Sequence, residues 1–80
     1  MEPFTQKGEG SQMPGTHKLV EIVGTSPTSF AEATREAIAE ASKTIRHMEW
    51  FEVVEQRGSI VEGKVREFQV SLKVGFKIER

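Results

Sequence analysis

Apolar and polar residues alternate most cleanly near the C-terminus. Phe68, Val70, Leu72, Val74, Phe76 and Ile78 take one parity, and Gln69, Ser71, Lys73, Gly75 and Lys77 take the other. A period of two means a strand with one covered face, so "KVREFQVSLKVGFKI", residues 64–78, is predicted as a strand. "WFEVVEQRG", residues 50–58, reads as a second strand, and "SIVEGK" between them carries a hairpin turn with Glu62-Gly63 near its tip. A further strand is predicted over "HKLVEIVG", residues 17–24, where Leu19, Val20, Ile22 and Val23 put apolar groups on both faces and Gly24 ends the run. "TSPTS" follows with turn chemistry.

The period then changes. In "SFAEATREAIAEASKTIRHM", Phe30, Ala33, Ala37, Ile38, Ala41, Ile45 and Met48 recur at spacings of three and four, which predicts a helix with one apolar stripe. Ser29 is the expected N-cap, and Glu32 three residues on completes a capping box. Acidic residues sit early, and Lys43, Arg46 and His47 sit late, as the helix dipole favours. Ala33, Ala37 and Ala41 are small enough for a sheet to lie close. Residues 1–16 are Gly-, Pro- and polar-rich without a period, and are expected to form a flexible extension ahead of a domain at 17–80. A second methionine, Met13, opens "MPGTHKLVEIVG", so the first twelve residues are expected to be an extension or a remnant.

One residue conflicts with this economy. Trp50, the only tryptophan, shares parity with Glu52, Val54 and Gln56, whereas Phe51 and Val53 share the parity expected to face the helix. A turn at Glu62-Gly63 predicts paired residue numbers summing to 125. Phe51 then faces Val74 and Val53 faces Leu72 on the helix side. Trp50 faces Gly75, Glu52 faces Lys73, Val54 faces Ser71 and Gln56 faces Gln69 on the other. A bulge near Arg57-Gly58 shifts the upper pairs by one. The outer face thus carries Trp50, Gly75 and the amides of Gln56 and Gln69, with Val20 or Ile22 of the first strand extending the patch. An indole left in water forgoes roughly 3–6 kcal/mol of burial. Such a patch marks either a subunit contact or a platform for a flat ligand.

Composition narrows the partners. Eighty residues form one small domain whose lone monomer is marginally stable, and with no cysteine there is neither a disulfide nor a thiolate metal site. Assembly is the remaining route to stability. A net charge of −1 with interspersed signs excludes a basic nucleic-acid footprint. No apolar run is long enough for a bilayer, and there is no secretory h-region, so a soluble cytoplasmic protein without a membrane partner is expected.

Other candidates have plainer explanations. His17 opens a strand, and His47 sits at the expected helix end; neither has neighbours at metal-ligand spacing. "KGEGSQMPG" lacks the flanking strand and helix of a phosphate loop. Ser26 and Ser29 are turn and cap residues. Glu32, Glu36 and Glu40 form a solvated face, with a cation site as the outside alternative. No paired acid–base constellation appears, so no enzyme activity and no catalytic residue is expected.

Three stretches together resemble the dodecin family: "VEIVGTSPTS", "ASKTIRHMEWFEVVEQRG" and "VREFQVSLKVGFKIE". The resemblance implies an α+β fold, a β-α-β-β subunit whose bent three-stranded antiparallel sheet wraps one helix, twelve of which assemble into a hollow homododecamer. It implies flavins (FMN, FAD or riboflavin) stacked in pairs between tryptophans at two-fold contacts, and in some members coenzyme A at three-fold contacts. Trp50 in "WFEV" matches the stacking tryptophan, Gln69 in "FQV" the glutamine at the polar edge of the ring, and Arg57 in "RG" an arginine near the flavin phosphate or side chain. An indole suits a flat ring, an amide offers both donor and acceptor, and a guanidinium can grip two oxygens. Ser59 departs from the histidine that many bacterial members carry there. One branch lacks the tryptophan and binds calcium; Trp50 and Gln69 argue against that branch. The function implied is flavin storage and sequestration, with a structural or cation-binding shell as the alternative.

Overall fold

The computed structural model describes residues 15–78. The flexible extension expected over 1–16 lies, up to residue 14, outside the described residues. The elements are β1 (His17–Ser26), α1 (Phe30–Ala41), β2 (Met48–Val61) and β3 (Lys64–Lys77). They form one antiparallel sheet in the order β1-β3-β2. The β-α-β-β order is the one expected. The tight turn is also where it was expected: Glu62 and Gly63 both take positive φ, 50° and 78°. Those values suit a two-residue turn of type I′, whose twist matches that of the strands.

The helix packs on β1 and β3, and the core forms where it does so. Ala33 and Ala37 meet Val70 and Leu72, with Ile22, Phe30 and Ile38 packed around them. Phe30 and Phe68 meet edge to face, with centroids 5.0 Å apart. Gly24 does not end β1, which continues to Ser26. Its role is close approach: a Cβ there would lie 2.2 Å from the Ala33 carbonyl oxygen and 2.7 Å from the Ala37 Cβ. The small residues on helix and strand therefore act together to bring the two backbones close.

Both helix ends differ from the expectation in detail. At the N-terminus, the Glu32 amide donates to Ser29 Oγ at 3.0 Å, but the reciprocal half of the capping box does not form. The buried Ser26 hydroxyl takes that place, accepting from the Thr28 and Ser29 amides, and Glu32 turns to Arg35 instead. At the C-terminus, the helix stops at Ala41 and has no basic residue in its last turn. Ser42 Oγ donates to the Ala39 carbonyl, and turns through Lys43 and Thr44 close the end. Serine and threonine compete locally for backbone bonds, which disfavours further helix. Ile45 and Met48 continue the apolar spacing but lie beyond it, half-buried, and His47 sits in the connection with φ of 63°.

β2 and β3 run on past the helix as a long two-stranded arm. Phe51 and Val53 share the helix side of the sheet with buried Val74 and Leu72, yet remain 49% and 44% exposed. An open groove of about 590 Å³ separates Phe51 from Ala31, Thr34, Ile38 and Ala39 of the helix. Farther out, Ile60 and Val65 pair across the arm at 72% and 61% exposure. One chain supplies too little helix to cover its own sheet.

Candidate functional site

The sheet face opposite the helix is set by the register. β1 and β3 pair without interruption, Leu19 facing Gly75, Glu21 facing Lys73, Val23 facing Ser71 and Thr25 facing Gln69. The outward apolar residues of β1 are therefore Leu19 and Val23, both more than half exposed, and not Val20 or Ile22. Ile22 packs into the core.

β2 begins on the expected register. Trp50 faces Gly75, Phe51 faces Val74, Glu52 faces Lys73 and Val53 faces Leu72. The first bulge comes earlier than Arg57-Gly58, at Val54, where the ladder steps from Val53–Leu72 to Glu55–Ser71; a further shift follows just past Gly58, between Ser59 and Ile60. A residue inserted into one strand inverts the parity of everything beyond it. Gln56 accordingly faces Val70 on the helix side, and the expected Val54–Ser71 and Gln56–Gln69 pairs do not form. Arg57 faces Gln69 on the outer side. Residues 50 and 57, of opposite parity, share one face because Val54 is extra.

Two of the three expected site residues are thus brought together. Arg57 Nε donates to Gln69 Oε1, and Arg57 Nη1 donates to Glu55 Oε2 at 3.2 Å. The guanidinium, held by Glu55, fixes which end of the Gln69 amide is oxygen. That oxygen keeps a second lone pair and the amide nitrogen supplies two donors, so the edge has a defined polarity. Trp50 is not part of this cluster. Its partner Gly75 lies six residues along β3 from Gln69. At the rise of a strand this is about 20 Å, longer than a three-ring flavin.

The Trp50 indole lies flat over Gly75. A Cβ at position 75 would sit 2.3, 2.4 and 2.6 Å from three carbons of its six-membered ring. The glycine thus makes room for the chain's own tryptophan. The half-buried indole also meets His17, centroids 5.1 Å apart at 55°, and the imidazole is bonded through Nε2 to Glu49 Oε1 at 2.8 Å. The sequence reading took His17 only as the opener of a strand and passed over Glu49. They are 32 residues apart and meet across an intervening strand, so no local pattern joins them. Ser59 faces Glu67, beyond the Arg57–Gln69 pair.

Among the described residues, no cluster of three or more His, Asp or Glu could hold a metal ion, and no helix is long and apolar enough to cross a membrane. The family model named Dodecin matches residues 16–79. The chain is 52% identical over 63 residues to a dodecin of Thermus thermophilus, covering 79% of this chain and 91% of that one. The structure of a Streptomyces coelicolor dodecin aligns with TM-score 0.83 at 43% identity, over 86% of this chain and 99% of that one. A calcium dodecin of Mycobacterium tuberculosis is 31% identical over 62 residues, 78% of this chain and 87% of that one. Its solved structure, described as calcium-chelating with a novel calcium-binding site, aligns at TM-score 0.71 over 80% of this chain and 91% of that one. With a family match across nearly the whole described chain and about half of the aligned residues identical to a named member, the chain belongs to the dodecin family.

Proposed function

We propose that this protein stores and sequesters flavin by stacking the ring on Trp50 at a contact between two subunits, and that it is not an enzyme. The observation that carries the reading is the indole itself, lying flat on the outer sheet face over a glycine that makes room for it. An indole in that pose is a ready π platform, and stacking on one contributes on the order of 1–3 kcal/mol per ring, judged from nucleobases. The separation of about 20 Å between Trp50 and Gln69 along β3 supports a shared site. The stacking residue then comes from one subunit, and the polar edge, Gln69 oriented by Arg57, comes from another. A two-fold contact satisfies both halves at once.

Assembly follows the same physics. The uncovered helix-side residues Phe51 and Val53, and the apolar tip pair Ile60 and Val65, require a second copy to leave water. Twelve copies in a closed shell, as in the family, cover these surfaces without leaving an open edge. FMN, FAD or riboflavin presents the same ring to Trp50. Coenzyme A is a further candidate at other subunit contacts.

The flavin supplies a photoexcitable ring. Trp50 supplies an electron-rich neighbour that returns the excited ring rapidly to its ground state, so binding buffers free flavin and suppresses its photochemistry. Titrating FMN with the protein should quench flavin fluorescence, and Trp50→Ala should keep the solution mass while losing most quenching and much affinity. Undiminished quenching in that variant removes Trp50 from the mechanism. The calcium dodecin relative motivates a second reading, a cation-binding shell. It predicts that FMN stays fully fluorescent in the presence of the protein while calcium raises its thermal stability.

A further inference from the structure

Trp50 is useful to a flat ligand only while its indole stays flat, and an aromatic side chain at a sheet surface has other rotamers open to it. Gly75 allows the flat pose but does not enforce it, since a glycine presents no side-chain wall. One wall comes from the opposite edge of the sheet. His17 belongs to β1, which is separated from β2 by β3, yet its ring lies 5.1 Å from the indole. It reaches there because the indole extends across β3 over Gly75, the residue opposite Leu19 of β1.

His17 is itself anchored. A carboxylate only accepts, so the imidazole donates through Nε2 to Glu49 Oε1 at 2.8 Å, which holds the rotation of the ring. Glu49 is available because β2 is irregular at this point: Met48 faces Phe76 and Trp50 faces Gly75, leaving Glu49 as the inserted residue. The irregularity thus turns a carboxylate out of the ladder and hands it to the histidine beside the tryptophan. The imidazole is inclined 55° to the indole, so it does not lie parallel on the indole as a stacked ligand would. Such inclined aromatic pairs contribute beyond their buried area.

We propose that His17, held by Glu49, is a positioning residue that fixes the plane of the Trp50 indole, and through it the affinity of the stacking site. The second half of this statement rests on the flavin reading; the first does not. A single tryptophan and no tyrosine make the test specific, because the tryptophan bands of the near-UV circular dichroism, at longer wavelength than those of phenylalanine, and tryptophan anisotropy report on Trp50 alone. The full-length assembly is compared with His17→Ala, His17→Phe, Glu49→Ala and the His17→Ala/Glu49→Ala double variant, each checked for unchanged solution mass.

In ligand-free protein, His17→Ala should flatten the tryptophan dichroism and lower its anisotropy. His17→Phe, which restores a ring without the anchor, should recover part of both. With FMN as the probe, His17→Ala should weaken binding roughly three- to tenfold, the scale of one aromatic contact. Glu49→Ala should add little in the His17→Ala background, since the two act as a unit. Dichroism and anisotropy unchanged in His17→Ala overturn the proposal whatever FMN does, as does full additivity of the two substitutions. If the parent protein leaves FMN fluorescent while His17→Ala still loosens the indole, the flavin reading falls and the positioning role stands.

Discussion

Adding one methyl group at Gly75 separates the binding surface from the fold. In Gly75→Ala the new Cβ would sit 2.3–2.6 Å from three indole carbons, so the ring must retreat by about 1 Å to reach ordinary contact at 3.4 Å. The obstacle is the end of a rotatable side chain and not backbone. The cheap response is for the indole to swing off β3, which also breaks its contact with His17. Overpacking costs about 1–3 kcal/mol in general, and a site that relieves itself by one rotation belongs at the lower end, about 1 kcal/mol. The ligand term is larger: a lost stacking plane worth about 1–3 kcal/mol lowers FMN affinity by a factor of roughly 5 to 150. Urea unfolding measures the first quantity and FMN fluorescence titration the second. Gly24→Ala is the matched control. There the Cβ would lie 2.2 Å from a backbone carbonyl oxygen of α1, which no rotamer relieves, so unfolding should cost at least 3 kcal/mol, the upper end of the overpacking range. If Gly75→Ala keeps the parent's tryptophan dichroism and its FMN affinity within twofold, the indole does not need to lie flat to bind and the platform argument is wrong.

Three further outcomes follow from the same geometry. Arg57 is engaged by Gln69 and Glu55, so its main effect should pass through the amide it orients. Arg57→Ala should therefore weaken riboflavin and FMN by a similar factor, roughly tenfold for a charged hydrogen bond; parallel titrations showing a loss for FMN alone return Arg57 to a phosphate role. Ser26→Ala leaves the Thr28 and Ser29 amides without their buried acceptor and should cost about 1–3 kcal/mol in a urea titration, more than the ~1 kcal/mol expected of the N-cap change Ser29→Ala. Phe51→Glu puts a charge on the uncovered helix side of β2 and should reduce the mass measured by light scattering while leaving far-UV dichroism in place.

The readability of this chain varied with how locally each feature is caused. The alternation from Phe68 to Ile78 was legible because a helix covers that face, and burial of Val70, Leu72 and Val74 enforces the period directly. The helix start was legible because a cap is a contact over three residues. Its end was not: Ile45 and Met48 keep the spacing although the backbone has already turned at Ser42, and hydrophobic spacing cannot tell a helix from a packed connection.

The four elements, their order, the hairpin turn and the outward parity of Trp50 could all be read from the chain alone. Each follows from interactions within a few residues or from one face meeting the core. The tertiary structure alone decided which outward residues meet. The bulge at Val54 has no compositional mark, since Val53 and Val54 are both β-branched and apolar, yet it moves Arg57 beside Gln69 and sends Gln56 to the other face. The uninterrupted β1–β3 register brings His17 within reach of an indole laid across Gly75. Strand pairing is settled by non-local hydrogen bonds and burial, and one inserted residue inverts every face beyond it, so the membership of a site on a sheet is a property of the register and not of the strand.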